Sequence, residues 1–199
     1  MKALLIALLI TSTTVLSSQT AHPSNGEFKK LKCGLYKNQA GDIGFKTSTL
    51  LDDLGNHAIT YQQYVYLLDK DDQRGYQPVA FREVVDTKSF KILNLFYCKD
   101  KNYIYAIHYT SGGAVFNATK QIDPKSFHPF GNSTYGSDGT NIYYRTEIMK
   151  MADQKSFKVI TDSENRAYDK NNYYLNGEIL PLKDARVMGF DQMKKKNRK

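Results

Sequence analysis

The sequence predicts an all-β protein whose antiparallel β-hairpin repeats pack as a propeller-like or solenoid-like array. The motif Asp-x-Lys-Ser-Phe occurs three times, and a tyrosine-rich segment with turn residues follows each copy. Two motifs that alternate at a regular spacing are typical of repeat architectures. The 15 tyrosines and 10 phenylalanines favour strands, and long helical periodicity is lacking beyond the first residues.

Residues 1–21 are typical of a cleaved secretory signal peptide. Lys2 gives a positive start, residues 3–10 are uninterruptedly apolar, and small or hydroxyl residues follow without a charge before Glu27. The apolar run is shorter than the roughly 20 residues that span a bilayer. We therefore expect an exported protein, periplasmic or extracellular, with the exact cleavage position left open.

Residues 22–60 precede the clear repeats and are predicted to be an N-terminal segment that contains an eroded repeat. The stretch Leu35-Tyr-Lys-Asn38 begins in the way that later tyrosine segments begin. The regular repeats are expected over residues 61–190, and residues 191–199 form a separate basic tail.

Cys33 and Cys98 are the two cysteines of the chain. In an oxidising compartment a bridge between them would close a long loop and stabilise the fold by roughly 4 kcal/mol. Two thiols that never approach each other are the alternative. The pair is thus a candidate disulfide, and neither cysteine lies in a recognisable nucleophile motif.

The first repeated motif predicts a single helical turn that ends in a core aromatic residue. Its copies are Asp86–Phe90, Asp123–Phe127 and Asp153–Phe157. An aspartate can cap backbone N–H groups, and Pro124 suits the first position of a helical turn. We expect each phenylalanine to point into the core.

The second repeated motif predicts a turn followed by a strand. Its copies are Tyr97–Tyr105, Tyr135–Tyr144 and Tyr168–Tyr174. Asp and Asn in the middle of each copy favour a tight turn, and the aromatic and β-branched residues after them favour a strand. Asn176-Gly177 is a strong signal for a two-residue hairpin turn.

The alternation of these two motifs resembles the DKNYY repeat family of exported bacterial proteins. Asp100–Tyr103 and Asp169–Tyr174 carry the family motif, and residues 138–144 are a variant with Gly and Thr inserted. The resemblance covers about residues 61–190. It implies no established activity, cofactor or catalytic set, and it implies that some members are immunity proteins paired with secreted toxins.

The residues themselves predict no catalytic, cofactor or metal site. The four histidines lie far apart and match no metal-ligand spacing. The stretch Asp69–Gly75 hints at a calcium loop, but its glycine comes one place late and Ala80 stands where the loop needs Glu. No Gly-x-Ser-x-Gly elbow occurs.

Two long hairpin insertions break the short regular spacing of the repeats, at Asp69–Pro78 and Thr110–Asn117. Insertions in repeat arrays map to loops that often lie on a binding face, and tyrosine offers rigid amphipathic contact. The candidate partner-binding residues are Asp69, Asp71, Arg74, Tyr76, Tyr109 and Phe116.

The net charge of +8 is concentrated at the C-terminus. Lys2 carries one charge and residues 194–199 carry five, which leaves +2 for residues 21–193. A basic run of this kind is typical of a disordered tail, and peripheral contact with an anionic envelope polymer is its functional alternative. The nearly neutral body and the lack of a nucleic-acid-binding motif argue against nucleic acid as a partner.

The sequence therefore predicts an exported, non-catalytic protein that binds another protein, with neutralisation of a secreted bacterial toxin as one form of that binding. The alternative is a cell-envelope or glycan-binding module that uses tyrosines for sugar stacking and the basic tail for anionic polymer. An unrecognised hydrolase is the third alternative.

Overall fold

The computed structural model describes residues 26–68, 78–160 and 163–190. Within these ranges the chain is nearly all β, with eighteen strands in four sheets and two short helices. The predicted signal peptide and the basic tail lie outside the described residues. The all-β prediction is confirmed.

The first sheet is a four-stranded antiparallel meander in chain order. Its strands are β1 (Lys29–Lys30), β2 (Tyr36–Lys37), β3 (Ile43–Leu50) and β4 (His57–Gln62). The last two are longer than their neighbours and pair from Phe45 opposite Gln62 to Leu50 opposite His57. They form a hairpin that extends beyond the first two strands.

The second sheet has six strands in the order β6-β5-β10-β9-β8-β7. The strands are β5 (Tyr64–Leu67), β6 (Pro78–Ala80), β7 (Lys91–Ile92), β8 (Tyr97–Lys99), β9 (Ile104–Thr110) and β10 (Gly113–Thr119). All pairs are antiparallel except β5 with β10, which is parallel. Helix α1 (Phe81–Val84) follows β6.

The third and fourth sheets repeat the four-stranded meander. The third contains β11 (His128–Pro129), β12 (Tyr135–Ser137), β13 (Ile142–Tyr144) and β14 (Glu147–Ile148). The fourth contains β15 (Lys158–Val159), β16 (Arg166–Tyr168), β17 (Tyr173–Leu175) and β18 (Glu178–Leu180). Helix α2 (Leu182–Val187) follows the last strand.

The Asp-x-Lys-Ser-Phe segments form single hydrogen-bonded turns and not helices. The Phe90 N–H donates to the Asp86 carbonyl at 2.9 Å, and Phe127 does the same to Asp123 at 3.1 Å. The two helices of the described chain lie elsewhere, at α1 and α2. The three phenylalanines are buried, as predicted.

The core consists of four clusters that follow the chain. The largest joins the first sheet to one face of the second around Phe45, Phe81 and Phe116. The next two lie between the second and third sheets and between the third and fourth sheets, around Phe127 and Phe157 respectively. The last packs the fourth sheet against α2 and Phe190. Each of the later sheets therefore shares its core with both neighbours.

The hairpin insertion predicted at Thr110–Asn117 lies in a regular hairpin of two paired strands. Strands β9 and β10 pair from Thr110 opposite Gly113 to Ile104 opposite Thr119. Because β10 also pairs with β5, far away in the sequence, these residues lie inside a sheet and not in an exposed loop. The tip reaches β3, where the Leu50 N–H donates to the Ser111 carbonyl at 2.8 Å.

The predicted disulfide is not present, because both cysteines are free thiols. Cys98 is fully buried on β8, and Cys33 is partly exposed and packs against the same core cluster. The turn that holds Cys33 is closed by its own backbone, since the Leu31 N–H donates to the Leu35 carbonyl at 2.7 Å. Burial raises the pKa of the Cys98 thiol, which keeps it protonated and unreactive.

In the described ranges, neither helix has the length or the apolar character to cross a membrane.

Candidate functional site

The two repeated motifs meet in space and form one structural unit. We refer to residues 86–119, 123–148 and 153–180 as units A, B and C. In unit A the Asp100 carboxylate accepts the N–H groups of Asn102 at 2.7 Å and Tyr103 at 2.9 Å, and it accepts the Tyr105 hydroxyl at 2.7 Å. We refer to this arrangement as the Asp–Tyr clamp.

The clamp recurs in units B and C. The Tyr143 hydroxyl donates to Asp138 at 2.6 Å, and the Tyr174 hydroxyl donates to Asp169 at 2.7 Å. In each case the tyrosine follows its aspartate by five residues, so the carboxylate closes the turn and fixes the strand after it. This contact explains why the sequence repeats an aspartate and a tyrosine at that spacing.

The same aspartate also fixes the preceding Asp-x-Lys-Ser-Phe turn. In unit A the Asp86 N–H donates to Asp100 at 2.8 Å, the Lys101 N–H donates to Ser89 Oγ at 3.0 Å, and the Lys101 ammonium lies 2.6 Å from the Asp86 carboxylate. Unit C repeats all three contacts, between Asp153 and Asp169, Lys170 and Ser156, and Lys170 and Asp153.

These contacts leave the shared carboxylates with a structural role. Burial alone would raise the pKa of Asp138, but the Tyr143 hydroxyl and the N–H groups of Asn141 and Thr140 outweigh it and lower the pKa to about 2. The same balance lowers the pKa of Asp169. Among the described residues, no group of three His, Cys, Asp or Glu side chains is placed to hold a metal ion.

A second set of tyrosines connects each unit to the next. The Tyr97 hydroxyl of unit A lies 2.6 Å from the Thr134 carbonyl and 3.0 Å from the Arg145 carbonyl of unit B. The Tyr135 hydroxyl of unit B donates to the Asn165 carbonyl of unit C at 2.8 Å. Both tyrosines are fully buried. The predicted role of tyrosine as packing between repeats applies to these two.

Unit C ends this series. Arg166 stands at the position of Tyr97 and Tyr135, three residues before the clamp aspartate. Its guanidinium lies over the ring of Phe190, 5.7 Å from the centroid. Helix α2 and Phe190 therefore cover the face that another unit would cover.

A cleft of about 360 Å³ lies where units A, B and C meet. Unit A contributes residues 95–96 and 107–109, unit B contributes Thr134, Tyr144 and Arg145, and unit C contributes Glu164, Asn165 and Asn176. The cleft thus has tyrosine, amide, cationic and anionic side chains on its walls. No single stretch of sequence contains it.

Arg145 is the unusual residue of this cleft. It lies in the two-residue turn between β13 and β14 with a φ of 54°, where an arginine is rarely found. Its Nε is buried and lacks a hydrogen-bond partner among the described residues. Its guanidinium lies over the ring of Tyr144, 5.5 Å from the centroid.

Two further groups of the cleft lie on β9. Burial, with Arg145 nearby, lowers the pKa of His108 below its usual value, so the imidazole is neutral near pH 7. Tyr109 is 45% exposed, and partial burial raises the pKa of its hydroxyl. The cleft therefore offers Arg145 as its positive charge and Glu164 as its negative charge.

The β3–β4 hairpin presents a separate apolar surface. Leu51 and Ile59 are 63% exposed and Leu54 is 89% exposed. Leu50 precedes them, and its N–H group is hydrogen-bonded to the tip of the β9–β10 hairpin. The same hairpin places Tyr109 in the cleft. We refer to residues 50–59 as the apolar hairpin tip.

The predicted partner-binding residues have different positions. Tyr109 lies partly exposed in the cleft. Phe116 is fully buried, with its ring 4.9 Å from Phe45 and 5.0 Å from Phe81, so its placement on a binding surface is corrected. The other four predicted residues lie outside the described ranges: Asp69, Asp71, Arg74 and Tyr76.

Sequence reasoning missed Arg145 and the apolar hairpin tip. One signal for Arg145 was available, since it occupies the turn position that Asn176 occupies in unit C, where the next residue is Gly177. An arginine at a turn position that favours Asn is a local inconsistency, and such inconsistencies concentrate at functional sites. The apolar hairpin tip gave no motif at all.

Comparison with known protein families gives a match to the DKNYY family over residues 103–178. These residues run from the end of the clamp turn in unit A to the last hairpin of unit C, inside the range predicted from the motifs. Neither the curated proteins nor the solved structures include a match to this chain. The resemblance to the DKNYY family that the motifs predicted is therefore confirmed over residues 103–178.

Proposed function

We propose that this chain is an exported, non-catalytic protein that binds another protein, and that the apolar hairpin tip is part of its binding surface. The observation that carries the proposal is the exposure of Leu51, Leu54 and Ile59 on one projecting hairpin. Clustered exposed apolar side chains mark sites of protein contact, whereas single ones need no explanation. Export rests on the signal-peptide pattern of residues 1–21.

The role of the shared motif residues supports a non-catalytic function. The clamp carboxylates of Asp100, Asp138 and Asp169 each accept backbone N–H groups and a tyrosine hydroxyl. A carboxylate whose lone pairs are taken up in this way is a poor general base. The repeats would then serve as a rigid frame that holds loops and hairpins for contact.

The frame itself is proposed to be a propeller-like or solenoid-like array. Three observations support this: successive four-stranded meanders, core clusters shared by consecutive sheets, and buried tyrosines that bond one unit to the next. The first sheet fits the same scheme as an eroded unit. Its Asn38 stands in the turn between β2 and β3 and accepts the Asp42 N–H at 2.8 Å.

Inhibition of a secreted toxin is the form of protein binding that we propose. The binding would occlude the toxin's own surface and would include no covalent step. The family resemblance and the export signal support this role, and the apolar hairpin tip supplies the contact area. Tyr109 would extend that area toward the cleft.

The test is a pull-down from extracellular and periplasmic fractions of the source organism with mature, tagged protein as bait. The double variant L54S/I59T removes two exposed apolar side chains from the apolar hairpin tip. The matched control L182S/V187T removes two exposed apolar side chains from α2. We expect one stoichiometric protein partner that is lost with the first variant and retained with the control.

Two results would contradict the proposal. If both double variants recover the partner equally, the apolar hairpin tip is not part of the interface. Recovery of wall or lipid material in place of a protein would favour the envelope-binding alternative. Both variants change solvent-exposed side chains only, so circular dichroism should show unchanged folding.

A further inference from the structure

The backbone at Arg145 is held in its unusual conformation by two other parts of the chain. The Arg145 N–H donates to the Thr134 carbonyl at 2.8 Å, and the Arg145 carbonyl lies 3.0 Å from the Tyr97 hydroxyl of unit A. Asn176 has nearly the same φ, 53°, in the equivalent turn of unit C. Asn tolerates the left-handed region well and Arg does not, so the turn itself gives no reason for an arginine.

The guanidinium at this position lacks a strong partner among the described residues. Within the described ranges, Arg82, Lys101 and Lys170 pair with carboxylates, whereas the Arg145 guanidinium has only the face of Tyr144. Its Nε is a buried donor without an acceptor in the same part of the chain. A buried donor without an acceptor is costly, so the fold by itself does not explain an arginine at this position.

The walls of the cleft define which acceptor fits. An arginine fork binds a carboxylate through two parallel N–H groups, which a neutral oxygen cannot match in strength. The volume of about 360 Å³ is near the lower end for ligand pockets and suits a side chain rather than a whole cofactor. Glu164 is exposed beside it and would weaken the binding of any anion.

We propose that this cleft binds the carboxylate of an acidic side chain on the protein partner, with the Arg145 guanidinium as its main contact. The proposal rests on the proposed function, because it assigns the ligand to the partner protein. Because Lys2 and residues 194–199 carry most of the net charge, the Arg145 guanidinium itself, and not the net charge of the body, selects an acidic side chain. Tyr109 would cover the inserted side chain, and its strand runs on to the apolar hairpin tip.

The first experiment follows the Arg145 Nε–H signal by NMR in the mature protein. The probe is the capped peptide Gly-Glu-Gly, and the matched control is capped Gly-Gln-Gly. We expect the Glu peptide to shift this signal saturably and the Gln peptide to bind at least about tenfold more weakly. Equal effects of the two peptides, or no saturation by about 10 mM, would overturn the proposal.

Four variants sharpen the result. R145N keeps the turn conformation, as Asn176 does in unit C, and should abolish binding. R145K keeps the charge without the fork and should weaken binding about tenfold. E164Q should strengthen binding a few-fold, and K183Q removes a distant exposed charge and should change nothing. An E164Q variant that binds more weakly would contradict the assigned geometry.

The outcome is separable from that of the proposed function. If the Glu peptide binds at Arg145 but the pull-down recovers no protein, the carboxylate site is supported and the proposed protein partner is not. If wild type and R145N retain the partner equally, protein binding is supported and the carboxylate site at Arg145 is not. R145N and R145K lack the Arg145 Nε–H group. Binding of the variants is therefore followed through the signal of another cleft residue, such as Tyr109.

Discussion

Units B and C have the same meander and the same clamp, yet two of their turn residues differ. Unit C has Lys170 after its clamp aspartate and an ion pair to Asp153, whereas unit B has Gly139 at that place. Unit C has Asn176 in its last turn, where unit B has Arg145. The buried Asp–Tyr contact is retained while the outer contacts vary, which indicates that the clamp and the core phenylalanine define the repeat.

The largest effects should come from the core phenylalanine that each unit contributes, Phe127 in unit B and Phe157 in unit C. F127A and F157A should each lower the free energy of unfolding by about 3–5 kcal/mol, because each removes a buried ring and leaves a cavity. The effect of F157A should be the larger, since its ring contacts Phe130, Tyr135 and Tyr174. Chemical denaturation measures both.

A matched control is L54A, which removes an exposed side chain and should change stability by less than about 0.5 kcal/mol. Unchanged stability in both phenylalanine variants would contradict the shared-core description. A loss confined to one of them would mean that the units do not stabilise each other.

The clamp aspartates should have the next largest effect. The folded-state pKa of Asp138 is about 2 and its ordinary value is 3.8, so its ionised form stabilises the fold above about pH 4. That contribution is lost as the pH falls through 3.8 toward 2. D138N should cost about 1 kcal/mol at pH 7, after allowance for partial exposure, and should flatten the acid limb of the stability profile.

D169N should cost more, about 2 kcal/mol, because Asp169 is almost fully buried. The measurement is urea denaturation from pH 7 down to pH 2.5. If the free energy of unfolding of D138N falls as steeply at low pH as that of the wild type, Asp138 is not the source of the pH dependence.

The smallest effect should come from the ion pair that unit B lacks. Lys170 is exposed, so K170M should lower the melting temperature only slightly, and the difference should vanish in high salt because salt screens exposed charges. K183M is the control, since it removes an exposed charge from α2. A large, salt-independent loss would mean that the lysine acts through packing rather than charge.

The sequence by itself determined the repeat and its local chemistry. The Asp and Asn turns, the buried phenylalanines and the Asn176-Gly177 hairpin follow from local rules, because a turn or an alternating strand depends on residues within a few positions. The family could be recognised for the same reason. The all-β class followed from the aromatic strands between these turns.

Only the tertiary structure decided where the surfaces lie. Phe116 looked like part of an insertion, but the parallel pairing of β10 with β5 places it in the core. The cleft combines residues 95–109, 134–145 and 164–176, which approach only after the units pack. The buried donor of Arg145, which lacks a partner in the described chain, is visible only in the folded structure. Such long-range juxtapositions depend on packing between units, which local sequence patterns do not encode.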